Sequence, residues 1–186
     1  MDEQTIEEWF LLYERDITSF LTYYTGSLDV EDLVQDTFLI ALRKYSRFNH
    51  SSHPKTWLIA IARNLVIDRY RRTKVWERIK SSLLTAPTHL NELEESFILN
   101  LESQQLYRAI HKLPPQHKEV VILRGILELS SKEASEILKC TTNKTNVLYH
   151  RALKKLKEIL EKEGFFHESY RSNPRKTKGA SETLSD

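Results

Sequence analysis

Apolar residues recur every three or four positions along most of the chain, which is the period of an amphipathic α-helix. Near the N-terminus these positions are Ile6, Trp9, Phe10, Tyr13, Ile17, Phe20, Leu21 and Tyr24. Gly26 is expected to end this first helix, and Asp29 or Ser27 to cap a second one that continues to about Phe48. The pattern therefore predicts two helices before Phe48.

A third helix is predicted between Thr56 and Arg72, where Pro54 precedes it at a position that a first helical turn accepts. The first half of this segment, which includes Trp57, is apolar nearly all round, whereas its second half is basic. We expect the apolar half at the centre of a three-helix bundle. Residues 1–80 are therefore interpreted as one small helical domain.

Clear periodicity is lost over residues 81–100, where Ser, Thr, Pro and acidic residues are mixed. We interpret this segment as a flexible linker. Residues 164–186 contain Pro, Gly, Ser and Lys without an apolar period and are interpreted as a disordered tail.

Residues 101–163 carry the pattern of a second helical domain. Two prolines at 114–115 separate its first two helices, because proline ends one helix and suits the first turn of the next. Ser130 and Glu133 then match a capping box at the start of a short helix. A turn connects this helix to a longer basic one that begins at about Lys144, and the arrangement is that of a helix-turn-helix.

Composition agrees with an all-α fold of two small helical domains joined by a flexible linker. The 186 residues include only four Gly and five Pro, so few positions interrupt a helix. The single Cys140 excludes an intramolecular disulfide and makes a thiolate-rich metal site implausible. The acidic N-terminus is unlike a basic secretory signal, and no apolar run approaches the ~20 residues of a membrane-spanning helix. We therefore expect a cytoplasmic protein without membrane insertion, metal or cofactor.

The formal net charge of +2 conceals a segregation of charge along the chain. Residues 1–37 contain ten acidic side chains and one Arg, whereas residues 43–80 contain eleven Lys or Arg and two acids. Residues 88–105 contain four Glu and no Lys or Arg, and residues 139–160 contain six basic residues and one Glu. Clustered Lys and Arg release counterions from phosphates, so the two basic blocks predict two contacts with a polyanion. Simple solvation of helix faces is the alternative.

The second basic block coincides with the helix-turn-helix, whose longer helix would contact base edges through its N-terminal part. Side chains that can hydrogen-bond to bases stand there in succession: Thr142, Asn143, Lys144, Thr145 and Asn146. Arg151 and Lys154 follow along the helix and suit phosphate contacts. The sequence therefore predicts recognition of duplex DNA, although a helical hairpin with a solvated basic face would have the same composition.

The first basic block also contains aromatic residues, with Tyr70 and Trp76 among its Arg and Lys residues. Stacking combined with cationic side chains is typical of proteins that bind single-stranded nucleic acid. Trp57 belongs to the apolar half of the same helix, so it is predicted to lie in the core.

Four segments in succession resemble the extracytoplasmic-function group of sigma-70 family factors. They are DLVQDTFLIALRKYSRF from Asp32, TWLIAIARNLVIDRYRR from Thr56, LPPQHKEVVILR from Leu113 and LSSKEASEILKCTTNKTNVLYHRALKKLK from Leu129. The resemblance covers nearly the whole chain up to about residue 160, with the linker in the expected place. It implies a bacterial transcription initiation factor, whose N-terminal domain corresponds to sigma region 2 and whose C-terminal domain corresponds to sigma region 4.

The resemblance also implies partners and site residues. In that family the helix of the first segment docks on the β′ subunit of RNA polymerase, which here implies roles for Asp32, Gln35, Asp36 and Phe38. The second segment and the loop 48–53 would open the minus-ten promoter element and hold a flipped base, through Arg63, Asn64, Asp68, Arg71 and Arg72. The helix-turn-helix would read the minus-thirty-five element as duplex. Implied partners are the β′ and β subunits of core polymerase, promoter DNA and an anti-sigma protein, which is often membrane-anchored.

Two departures from the family pattern concern the helix-turn-helix. Lys139 stands where family members usually carry Gly in the turn, and a non-Gly residue enters the left-handed region only at some cost, so the turn is open to rearrangement. Asn146, Val147 and Leu148 replace a Lys-Ser-Arg run, which removes a phosphate-binding cation at Leu148.

Two other classes of protein stay open. A stand-alone helix-turn-helix regulator would need a sensing pocket or a dimerisation surface in its N-terminal domain, whereas this N-terminal half offers a docking helix and a basic track. A helical adaptor that never contacts DNA would show no salt-dependent affinity for nucleic acid. Enzymatic chemistry is not predicted, because there is no glycine-rich loop and the closely spaced His50 and His53 lack a third metal ligand.

Overall fold

The computed structural model describes residues 2–81 and 101–163. These two ranges are helical and contain no strand, which confirms the all-α prediction. Of the linker predicted at 81–100, only residue 81 lies within the described part, at the end of a helix, and the predicted tail 164–186 lies outside it. The domain boundaries themselves stay predictions. None of the described helices is both long enough and apolar enough to cross a lipid bilayer.

The N-terminal half is a bundle of three helices: α1 (Asp2–Thr25), α2 (Glu31–Lys44) and α3 (Pro54–Ser81). The predicted helix end at Gly26 is confirmed, because its φ of 87° lies in the left-handed region and its N–H donates to Thr22 O at 3.0 Å. The predicted cap of α2 is wrong. Val30 occupies the N-cap position without a side-chain bond, while Ser27 hydrogen-bonds to the backbone of Asp29 within the turn.

Apolar side chains from all three helices share one core. Those that are fully buried are Ile17, Phe20, Leu21, Ala41, Leu58, Ile59 and Ala62. Each buried Leu, Ile or Phe contributes about 1.5–3 kcal/mol to folding. One end of the core is aromatic, with the ring centroid of Trp9 5.1 Å from that of Phe48 and 6.1 Å from that of Trp57. Trp57 is only partly buried and packs against the core, rather than lying within it as predicted.

The C-terminal half contains α4 (Leu101–His111), α5 (Pro115–Val121), a π-helical turn (Ile122–Ile126), α6 (Ser131–Leu138) and α7 (Thr142–Lys162). Pro114 is the N-cap of α5, in agreement with the predicted break at the two prolines. The π turn is closed by Leu127 N–H, which donates to Ile122 O at 2.9 Å.

Helices α6 and α7 form the predicted helix-turn-helix. The capping box is confirmed, since Ser130 Oγ accepts from Glu133 N at 3.2 Å and the Glu133 carboxylate accepts from Ser130 N at 2.8 Å. Lys139 itself adopts the left-handed conformation, with φ 52° and ψ 47°, so the turn closes without glycine. Helix α7 begins earlier than predicted because Thr141 Oγ1 caps it, accepting from Lys144 N at 3.2 Å.

The two halves pack directly against each other. Their buried apolar residues belong to one hydrophobic cluster that includes side chains from α1 to α7. Polar contacts cross the same boundary: Lys118 Nζ donates to Tyr24 O at 2.9 Å, and Thr56 Oγ1 donates to Glu133 Oε1 at 3.4 Å. We call this packed state the closed arrangement.

Candidate functional site

The exposed side of α2 carries most of the residues that were predicted to dock on polymerase. Asp32 and Gln35 are exposed. Asp36, one turn after Asp32, is partly exposed and its carboxylate forms an ion pair with Arg69 of α3. Leu39 continues the same side of the helix and is 48% exposed. Asp32, Gln35, Asp36 and Leu39 together form a surface of carboxylate, amide and apolar groups, which we call the α2 face.

Phe38 does not belong to the α2 face. It is 6% exposed, and its ring packs against Phe10 of α1 with 4.9 Å between centroids. Val34 and Ala41 lie on the same side of α2 and are also buried. Phe38 is therefore a core residue, and Leu39 is the apolar side chain that this helix exposes. The helical phase of α2 was the signal in the sequence that could have separated the two.

The segment 64–74 of α3 exposes a basic surface. The residues predicted for the minus-ten element that lie on it are Asn64, Asp68, Arg71 and Arg72. Tyr70 is 56% exposed, and Lys74 Nζ lies 4.7 Å from its ring centroid. The side chain of Trp76 lies outside the described part. Cations beside an accessible ring are the combination that a single-strand contact requires.

A cavity of about 290 Å³ opens between α2 and α3 beside this surface. Ile61 and Leu65 contribute apolar groups to its lining, while Asn64, Asp68 and Arg72 contribute amide, carboxylate and guanidinium groups. Three residues predicted for the minus-ten element thus line one cavity. Apolar contact combined with hydrogen-bonding groups is suited to a planar polar ligand such as an unstacked base.

Arg63 lies apart from that surface, at the boundary between the two halves. Its guanidinium forms a two-pronged ion pair with Glu119 of α5, whose side chain is 8% exposed. Tyr24 lies near the same carboxylate, and burial, followed by the charge of Glu119, raises the pKa of Tyr24 to about 12. In the closed arrangement Nε and Nη2 of Arg63 are bound to Glu119 and its side chain is 19% exposed, so the expected contact with DNA would compete with this pair.

The exposed side of α7 carries most of the residues that were predicted to read duplex DNA. Those at the surface are Thr142, Asn143, Lys144, Asn146, Arg151 and Lys154. Asn146 is held by α6, since Ser131 Oγ donates to its Oδ1 at 2.5 Å. No carboxylate in the described ranges lies within ion-pair distance of Arg151 or Lys154. We use the name α7 face for Asn143, Asn146, Val147, His150, Arg151 and Lys154.

Thr145 is a correction to the predicted set. It is 0% exposed, its hydroxyl donates to Thr141 O at 3.2 Å, and the same oxygen lies 3.2 Å from Cys140 Sγ. Because it precedes the buried Ala152 by two helical turns, it lies on the side of α7 that packs inward. Thr145 is thus a packing residue that cannot reach DNA. Leu148 also packs against the core, which accounts for an apolar residue at that position.

Comparisons with known proteins identify the family of both halves of the chain. The family models of sigma-70 region 2 and sigma-70 region 4 match residues 9–75 and 103–156. The RNA polymerase sigma factor YlaC of Bacillus subtilis is 35% identical over 162 residues, which cover 85% of this chain and 93% of that protein. The extracytoplasmic-function sigma factor SigX of the same species is 27% identical over 191 residues, which cover 98% of each.

One solved structure is similar to this chain over most of the length of both proteins. The sigma factor RpoE of Bartonella quintana, in complex with the anti-sigma factor NepR, aligns with a TM-score of 0.68 and 26% identity, over 85% of this chain and 98% of that one. The α2 face and the basic end of α3 lie within the region 2 match, and the α7 face lies within the region 4 match. The chain therefore belongs to the sigma-70 family of RNA polymerase sigma factors, in its extracytoplasmic-function group.

Proposed function

We propose that this chain is a non-enzymatic initiation factor that binds core RNA polymerase in the cytoplasm and directs it to promoters. The α2 face docks on the β′ subunit, and the β subunit is a further partner of the chain. The basic end of α3 and the loop 48–53 open the minus-ten element and bind its non-template strand. The α7 face reads the minus-thirty-five element as duplex.

The observation that carries the proposal is the different chemistry of three exposed surfaces on one chain. The α2 face is acidic and partly apolar, so it would repel DNA and suits a protein partner. The exposed end of α3 and the α7 face are cationic and suit phosphates. A polymerase that fixes the distance between the two cationic surfaces turns two weak DNA contacts into one specific contact.

An anti-sigma protein is the second proposed partner. The similar sigma factor of Bartonella quintana was solved in complex with one, and its helices align with those of both halves of this chain. We expect such a protein, often membrane-anchored in this family, to bind the closed arrangement and to cover the surfaces that polymerase and DNA would use.

The proposal is tested by run-off transcription from a genomic promoter library with core polymerase, with and without the full chain. Asp32→Arg is the variant of choice, because Asp32 is exposed and no described cation pairs with it. Reversing this charge would weaken docking at least tenfold, because like charges then meet across the interface. Glu8→Arg makes the same charge change on an exposed position of α1 and is the matched control.

Discrete start sites that appear only with the chain, that Asp32→Arg abolishes and that Glu8→Arg retains, are the expected result. If core activity is unchanged while the chain alone shifts specific duplex DNA, the protein is a stand-alone regulator. If it binds neither core polymerase nor DNA, the adaptor hypothesis replaces the proposal.

A further inference from the structure

One apolar side chain stands in the middle of the α7 face. Val147 is 45% exposed, and the residues one turn away on the same side, Asn143, His150 and Arg151, are exposed and polar. The next residue in sequence, Leu148, turns inward and packs against the core. Val147 therefore adds nothing to the hydrophobic core, although it occupies the centre of the surface that the proposed function aims at DNA.

The chemistry around Val147 indicates what it would contact. Arg151 and Lys154, which follow Val147 along the helix, are suited to contacts with phosphates. Asn146, which precedes Val147, is held in place by its hydrogen bond from Ser131. In the major groove the apolar group that a base edge presents is the C5-methyl of thymine. Valine in a helix has one strongly preferred rotamer, so its two methyl groups would meet that methyl without much loss of side-chain entropy.

We infer that Val147 is a specificity-determining residue, whose methyl groups pack against the C5-methyl of a thymine in the minus-thirty-five element. The inference rests on the proposed function, since it requires the α7 face to enter the major groove. The amide and guanidinium groups around Val147 then supply hydrogen bonds and phosphate contacts, and Val147 supplies discrimination between thymine and the bases that lack a methyl group.

The test is run-off transcription with the full chain and core polymerase, on templates in which each thymine of the minus-thirty-five element is replaced in turn by deoxyuridine. This replacement removes one methyl group and leaves the hydrogen-bonding edge unchanged. At one position we expect initiation to fall about fourfold, the effect of losing one buried methyl contact. With the Val147→Ala protein, the uracil template and the thymine template should give equal amounts of run-off transcript.

Leu153→Ala is the matched control, because Leu153 is 41% exposed on α7 but lies outside the α7 face. This variant should keep the full sensitivity to uracil. Alanine is a better helix former than valine, so Val147→Ala retains α7, which thermal unfolding of the variant verifies.

Three results would overturn the inference and leave the proposed function intact. The first is that the native and Val147→Ala proteins are equally sensitive to uracil. The second is that no thymine replacement changes transcription, although transcription still depends on the element. The third is that the element contains no thymine in either strand. Absence of any chain-dependent transcription would overturn the proposed function and this inference together.

Discussion

At Gly26 the backbone requires glycine for two reasons. Its φ is 87°, and a Cβ added there would lie 3.0 Å from His111 Cε1. Gly26→Ala is therefore expected to lower the free energy of unfolding by about 1–3 kcal/mol. At Gly125, the matched control, a Cβ would meet Tyr149 Oη at an ordinary 3.5 Å. Urea unfolding measures both variants, and equal losses would contradict the argument.

The His111 side chain beside Gly26 makes stability depend on pH. Burial, followed by the charge of Lys118, lowers the pKa of His111 to about 4, and among the described residues its Nε2 has no hydrogen-bond partner. In the unfolded chain the pKa is near 6.5. Between these values the unfolded state binds the proton more readily, so the stabilisation is complete above pH 6.5 and is lost as pH falls towards 4.

That loss should reach about 1–2 kcal/mol, because solvent screens a side chain that is only partly buried, and His111→Gln should remove it. The free energy of unfolding, measured by urea titration between pH 4 and 7, is to be compared for the native protein and the variant. Carboxylates titrate in both proteins, so the difference between the two curves isolates the imidazole. Parallel curves would show that His111 is not the responsible group.

The role of a residue was predictable only where its type and the side of the helix on which it lies were considered together. Thr145 and Phe38 have the residue types and motif positions of contact residues, but both lie in phase with buried neighbours and are buried themselves. That phase is visible in the sequence. Val147 shows the converse, since an apolar residue on the polar side of α7 is conspicuous only once the orientation of the helix is fixed.

The turn between α6 and α7 offers a prediction at the scale of an element. Lys139 is held in the left-handed conformation, which costs a side-chain-bearing residue about 1–2 kcal/mol. Lys139→Gly should therefore raise the free energy of unfolding by about 0.5–1 kcal/mol, after allowing for the larger entropy of glycine in the unfolded chain.

Lys132→Gly is the control for this turn, because it makes the same substitution at an exposed helical position in the first turn of α6. There glycine should destabilise the protein by about 0.5–1 kcal/mol. Thermal unfolding of the two variants should thus show shifts of opposite sign. A loss of stability in both would mean that the left-handed turn carries no strain.

The start of a helix was predictable where a side chain caps it. The prediction failed at α2, where no side chain caps the helix. The capping box of α6 and the proline start of α5 were visible in the sequence because each uses a residue type with one dominant role. The cap of α2 was missed because Ser27 bonds to Asp29 instead. Helix α3 extends to Ser81, beyond the predicted end at Arg72, since Glu, Arg and Lys are good helix formers.

The boundary between the two halves yields a prediction at the scale of the whole molecule. Glu119 is nearly buried and pairs with Arg63, whose side chain is 19% exposed. Glu119→Ala would leave that guanidinium without its partner and should lower the free energy of unfolding by about 2–4 kcal/mol. The Asp36–Arg69 pair is the control, since its side chains are 43% and 47% exposed.

Asp36→Ala should therefore change stability by less than about 1 kcal/mol, because solvent screens an exposed pair. Urea unfolding at neutral pH measures both variants. Similar small effects would mean that water reaches the Arg63 pair and that the boundary between the halves is loosely packed.

The packing of one half on the other was not predictable from the sequence. Arg63 and Glu119 are 56 positions apart, and nothing in the local pattern of α3 or α5 indicates that they meet. The family resemblance implied a DNA contact for Arg63 because its motif covers only the N-terminal half of the chain. Such a motif carries no information about contacts with the C-terminal half. The closed arrangement depends on contacts between residues far apart in the chain, which the local pattern of one sequence does not reveal.

The DNA contact that the family resemblance implies for Arg63 and its ion pair with Glu119 would compete for one guanidinium. On that expectation, only molecules whose halves have separated would offer Arg63 to a promoter, and the apparent affinity of the free chain would be its intrinsic affinity scaled by that competent fraction. Every ~1.4 kcal/mol that favours closure weakens the contact tenfold. A polymerase that held the halves apart would restore the affinity that closure removes. The holoenzyme would then bind promoters more tightly without an additional contact to DNA.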